Sequence, residues 1–137
     1  MADESLSEAF WGVARQLRRQ STQTVAPWDI TPGQARALAV LTHATAIRLS
    51  DLADRLRIAP RSTTEVVDGL EERGLLERQA DPTDRRATLI ALTEEGGKVA
   101  EAIRLARTAE AEAFFGTLSA SDQANLSRIL AQLRDNA

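Results

Sequence analysis

Apolar residues recur every three or four positions along most of this chain, the spacing of one buried helical face. Leu6, Phe10, Val13 and Leu17, with Ala9 and Ala14 beside them, predict a helix over 5–22. Residues 21–30, with Pro27 and Trp28, read as a connector. Thr31-Pro-Gly-Gln34 then opens a second helix: Thr31 suits the N-cap, Pro32 the first turn and Gln34 a capping box. Ala35, Leu38, Ala39 and Leu41 carry it to about His43. Ile47-Arg-Leu49 is a short extended piece, after which Ser50 is expected to cap a third helix ending near Ile58. Pro60 opens a fourth, with Val66, Val67 and Leu70 on its buried side, running to Arg73 before a glycine stop at Gly74.

The helical spacing then lapses. Leu75-Leu-Glu-Arg-Gln79 and Thr88-Leu-Ile-Ala-Leu92 are short β-compatible runs, joined by the charged, Pro-containing stretch Asp81-Pro-Thr-Asp-Arg-Arg-Ala87. This predicts a β-hairpin over 75–92 with a long tip. Thr93, with Glu94 and Glu95 in the first turn, caps a long helix to about Leu118. Ser119 and Asp122 resemble another capping box, and Leu126, Ile129, Leu130 and Leu133 mark a last helix.

The expected fold is mainly α, a winged helix-turn-helix with a small antiparallel hairpin wing, flanked by N- and C-terminal dimerisation helices. It forms a single domain over 1–137, with a DNA-binding lobe at 31–92 and a helical dimerisation lobe from 5–22 and 94–136. The end helices are rich in Ala and Leu and have too little central module to cover them, so a homodimer is expected.

In a helix-turn-helix the second helix lies in the major groove with its amino end at the base edges. Arg61, Ser62, Thr63, Thr64 and Glu65 occupy that end, with Ser50 at the head of the preceding helix. Arg61 suits guanine, the hydroxyls suit bases or phosphates, and Glu65 suits the cytosine amino group. At the hairpin tip Arg86 suits the narrow minor groove and Arg85 a phosphate, with Asp84 expected to steady the Arg86 guanidinium.

Composition narrows the alternatives. The chain has 137 residues, 43% of them hydrophobic, enough for one domain with a core. It has no cysteine and one histidine, His43, which excludes disulfides and leaves no ordinary metal set. No apolar run reaches membrane-span length, and the amino terminus is acidic where a signal peptide is basic, so a cytoplasmic protein without membrane association is expected. Asp81 and Asp84 are the only carboxylate pair to suggest acid–base work, and a hairpin tip does not desolvate them; neither an enzyme nor a cofactor is expected.

The helix order, together with Leu52-Ala53, Val66-Val67-Asp68, Leu70, Gly74-Leu-Leu-Glu-Arg78, Asp81-Pro-Thr-Asp-Arg-Arg86 and Leu92-Thr-Glu-Glu-Gly96, resembles the MarR family of bacterial transcription regulators. The resemblance covers about residues 5 to 135, and its most specific part, an Asp followed two residues later by an Arg, falls on Asp84 and Arg86. It implies a homodimer that binds double-stranded pseudo-palindromic DNA, usually a repressor released by a small effector, often an aromatic or phenolic anion. Such an effector is expected where the outer helices meet the DNA-binding lobe, with Phe10, Trp11, Trp28 and His43 as candidates and Arg15 as anion partner.

One departure complicates the reading. Family members often carry basic residues where this chain has Glu65 and Gly69, and its recognition helix also holds Asp68, Glu71 and Glu72. Residues 46–90 contain eight arginines and nine acids, a net of −1 (8 − 9), within a chain of net charge −3. The alternative is a winged-helix protein-interaction module that has lost DNA binding.

Overall fold

Side-chain caps start four of the six helices. The structure, a computed structural model, describes residues 3–136. Ser5 opens α1 (Leu6–Val25) and Thr31 opens α2 (Pro32–Thr42), both with reciprocal capping boxes closed by Glu8 and Gln34 at 3.1 Å. Caps of this kind contribute about 1 kcal/mol each. Thr93 opens α5 (Glu94–Phe115) and Ser119 opens α6 (Ala120–Asp135), each accepting from the backbone three residues on.

Between these lie β1 (Ile47–Arg48), α3 (Leu49–Leu56), α4 (Pro60–Glu72), β2 (Leu76–Asp81) and β3 (Asp84–Leu92). The strands form one antiparallel sheet in the order β1-β3-β2. The helical framework with its small antiparallel wing is the fold expected from the sequence.

Three boundaries differ from expectation. α1 runs on to Val25 and then into a 3-10 turn, Ala26–Trp28, because Val25 is a fully buried core residue and Pro27 tolerates the turn's start. Ser50 is not a cap. Pairing of Arg48 with Leu89 holds Arg48 extended, the chain turns directly into α3 at Leu49, and Ser50 falls inside the first turn. The hairpin tip is short rather than long: Asp81 pairs with Asp84, so only Pro82 and Thr83 form the turn. Asp84 to Ala87 belong to β3.

The core gathers Leu38 and Leu41 of α2, Leu52 and Leu56 of α3, Val67 and Leu70 of α4, Leu75 just ahead of the sheet, and Leu76 and Ile90 from its strands. Val25 of α1 and Ala100 and Ile103 of α5 join the same cluster. Gly96 makes one approach possible. A Cβ there would lie 1.7 Å from the Leu75 carbonyl oxygen. The Thr93 amide donates to that oxygen at 3.2 Å and the Thr93 hydroxyl to Gly74 at 2.6 Å. The start of α5 is thus clamped to the foot of the hairpin.

The ends of the chain contrast with this core. α6 has no buried residue, and α1 buries only Val25. Leu6 is 88% exposed, Trp11 56% and Leu133 60%, with Phe10, Val13, Leu105, Ile129 and Leu130 also exposed.

Candidate nucleic-acid interface

α3 and α4 are joined by Arg57, Ile58 and Ala59, with Arg57 in the left-handed region at φ 56° to turn the chain sharply. The Arg36 guanidinium donates to the Leu56 carbonyl and closes the end of α3. α4 starts at Pro60 with Ala59 as a cap that offers no side-chain acceptor. Its amino-end N–H groups are therefore available to an anion.

Around that end Arg61, Ser62 and Glu65 are exposed and Thr64 is half-buried. The Thr64 hydroxyl donates to the Pro60 carbonyl at 3.0 Å and keeps lone pairs for an incoming donor. Thr63 departs from the expected DNA-facing position. It is fully buried and its hydroxyl donates to the Ala59 carbonyl at 3.1 Å, so it packs beneath the helix and does not reach a base edge.

The acidity of α4 also looks different in three dimensions. Arg78 on β2 donates to Asp68 at 2.5 Å and pairs with Glu71. Its pKa is raised, chiefly by the hydrogen bond to Asp68. Two of the helix's four carboxylates are therefore held from the side by an arginine of the wing. Glu65 and Glu72 are exposed and form no ion pair among the described residues.

At the wing, Asp84 does not hold the Arg86 guanidinium. Its Oδ1 accepts from the Arg86 backbone N–H at 3.0 Å, which shapes the turn and leaves the side chain unrestrained. Arg85 and Arg86 are both exposed, with no ion pair among the described residues. Adjacent strand residues point to opposite faces, so the two divide their reach. Arg86 lines a shallow depression with Thr88, Ser50 and Arg48, while Arg85 is absent from it.

Arg48 is the site residue that sequence reasoning missed. Its Nε donates to Asp81 Oδ2 at 3.0 Å and its Nη2 forms an ion pair with the same oxygen at 3.0 Å, while the Thr83 amide and hydroxyl donate to Oδ1 at 2.8 and 2.7 Å. These bonds, that of the Thr83 hydroxyl foremost, lower the Asp81 pKa. Asp-Pro-Thr signals the turn at Asp81. Nothing local signals its partner 33 residues earlier.

The expected effector residues are not brought together. Phe10 and Trp11 meet edge to face at 5.7 Å and are both exposed. Arg15 is exposed on α1. Trp28 packs against the core. His43, the C-cap of α2, borders a cavity of about 320 Å³ between α2 and α5. Leu38, Ile103, Thr42, Arg104 and Arg107 share its wall. Arg104 is engaged by Glu101, whereas Arg107 Nε is buried without a partner among the described residues and burial lowers the Arg107 pKa. Among the described residues no three His, Cys, Asp or Glu side chains come together as metal ligands, and no helix is long and apolar enough to cross a membrane.

A helix pair joined by a tight turn, a three-stranded wing immediately behind it and an exposed polar amino end on the second helix define a winged helix-turn-helix protein. The MarR family model matches residues 30–88. The regulator MhqR of Bacillus subtilis is 32% identical over 132 residues, covering 96% of this chain and 88% of that protein. The repressor MdtR of the same organism is 24% identical over 139 residues, covering 99% and 90%. The structure of Staphylococcus aureus MepR in complex with DNA superposes with a TM-score of 0.80 at 21% identity, covering 98% of this chain and 100% of that one. This chain belongs to the MarR family.

Proposed function

We propose that this protein is a sequence-specific transcription regulator that binds double-stranded DNA as a homodimer and acts as a repressor released by a small effector. The observation that carries the reading is the exposed amino end of α4, with Arg61, Ser62, Thr64 and Glu65, followed directly by a wing whose Arg85 and Arg86 are exposed and unpaired among the described residues. α4 enters the major groove and the wing approaches the flanking minor groove, with Ser50 and Arg48 at a phosphate. Two-fold symmetry sets the half-sites about one helical turn, roughly 34 Å, apart. MdtR is named a repressor and MepR has been solved with DNA, which supports the assignment.

The homodimer rests on the apolar residues that α1 and α6 leave in solvent, and the lobe formed by the end helices is its interface. The effector reading rests on the cavity between α2 and α5, whose apolar wall and unpartnered Arg107 suit a small aromatic anion. The protein-interaction alternative loses part of its ground, since Arg78 offsets one of the two negative charges of Asp68 and Glu71.

Recovery of genomic DNA fragments by the purified protein at two salt concentrations tests the proposal, with Arg86→Ala alongside. A pseudo-palindrome should be enriched, with loss at high salt as counterion release weakens, and with several-fold loss in the mutant. A folded dimer that enriches nothing at either salt, with or without small aromatic acids removed, would leave the protein-interaction reading standing.

A further inference from the structure

The two terminal nitrogens of Arg73 donate to the main-chain carbonyls of Trp28 and Asp29, each at 2.7 Å. Arg73 is the C-cap of α4. Trp28 ends the 3-10 turn at the foot of α1, and Asp29 follows it in the left-handed region at φ 54°. One guanidinium therefore joins the far end of the recognition helix to the foot of the amino-terminal helix.

That foot has no slack. α1 ends at Val25 and the 3-10 turn begins at Ala26, with Val25 fully buried and Trp28 packed on the core. α4 also lies close to the start of α2: a Cβ on Gly69 would come within 2.8 Å of Gln34 Nε2, whose amide is engaged by Thr31. The head of α1, some 20 residues away, carries the exposed Leu6, Phe10 and Trp11. A helix of that length is a lever of about 30 Å.

We propose that Arg73 is a positioning residue for DNA recognition. It fixes the angle between α4 and α1, and through α1 the separation of the two recognition helices in the dimer, so that it sets the half-site spacing the protein accepts. This rests on the DNA-binding dimer proposed above. A planar fork on two successive carbonyls resists rotation in a way that the point charge of a lysine does not. The side chain is exposed and lies outside the core to which Val67 and Leu70 of the same helix belong, so Arg73→Ala is expected to fold.

The absence of cysteine makes the test clean. Ser62→Cys, at the exposed start of α4, takes one spin label per subunit, and dipolar spectroscopy reads the distance between the two recognition helices. Unlabelled protein with Ser62 intact is titrated with the recovered operator and with versions whose spacer is changed by one or two base pairs. Arg73→Ala should keep its helix content and its dimer, broaden the distance distribution, and lose about fivefold in affinity at the preferred spacing as the competent orientation becomes less populated. Its loss on the altered spacers should stay under about twofold, with Arg73→Lys in between. Arg73→Lys carries the comparison if Arg73→Ala does not fold. A folded variant with an unchanged distance distribution and the wild-type spacing optimum overturns the positioning role alone. A wild-type dimer that binds none of the DNAs overturns the DNA reading and the spacing claim with it.

Discussion

At the scale of single residues the sharpest constraint is at Gly96. A methyl group there would meet the Leu75 carbonyl oxygen at 1.7 Å, inside the hydrogen-bonded clamp between α5 and the hairpin. Gly97, next in the same helix, has nothing within 4 Å of the corresponding position. Gly96→Ala should cost more than about 3 kcal/mol, since backbone has to move. Gly97→Ala should stabilise by about 0.5–1 kcal/mol through helix propensity alone. Urea unfolding of the pair checks this; equal midpoints would refute the clamp. Asp81 carries a second residue-scale expectation. Its folded pKa lies below the ordinary aspartate value, so its bonds to Thr83 and Arg48 contribute stability above the unfolded pKa. That contribution is lost as pH falls through the depressed folded value. Asp81→Asn should therefore be less stable than wild type at neutral pH, with the gap closing in acid. A gap that stayed constant down to the acid transition would place the effect elsewhere than in the carboxylate's charge.

Among the elements, helices were more legible than the contacts between them. Thr31-Pro-Gly-Gln34 predicts its capping box because all the participants lie within one turn. Ser50 misled because the same local pattern was overruled by pairing of Arg48 with β3, 41 residues away in sequence (89 − 48). The long wing tip failed for a similar reason: charged residues read as loop, while the ladder from Leu76 to Asp81 carries them into a strand. The DNA-facing candidates were legible as residue types, but not in their orientation. Helical phase places Thr63 in the core between exposed Ser62 and half-buried Thr64. The four acids of α4 were legible, but the pairing of Asp68 and Glu71 with Arg78 was not, since that arginine belongs to the next element. Arg78→Ala should free Asp68 and Glu71 and weaken DNA binding several-fold at low salt, with a smaller loss at high salt where exposed charges are screened. Removing the two charges as well, in Arg78→Ala with Asp68→Asn and Glu71→Gln, should restore the affinity. Failure of the triple variant to recover, with its fold intact, would mean that Arg78 touches the phosphates itself.

The whole molecule divides into a centre that satisfies itself and ends that do not. Among the described residues the largest fully buried side chains lie between Val25 and Ile90, while Leu6, Trp11 and Leu133 are more than half exposed and Leu130 is 38% exposed. None of those residues belongs to the buried core, so the monomer should stay folded when they are changed. The dimer proposed above would bury their exposed surface, and full burial of one leucine contributes about 1.5–3 kcal/mol. Leu130→Glu with Leu133→Glu removes two such contacts from each subunit and adds unpaired charge, which should raise the dimer dissociation constant at least about a thousandfold. Sedimentation velocity should show a folded monomer at micromolar concentration where the parent is expected to be a dimer. The consequence for DNA follows from linkage. Two recognition helices on one rigid body make the second half-site an intramolecular partner, and that gain disappears on dissociation. Operator affinity should therefore fall by at least about a hundredfold in the variant, although α4 and the wing are untouched, and an isolated half-site should be bound equally by variant and parent. A monomer that still held the full operator at parental affinity would show that the exposed apolar ends serve some purpose other than pairing the two DNA-binding lobes.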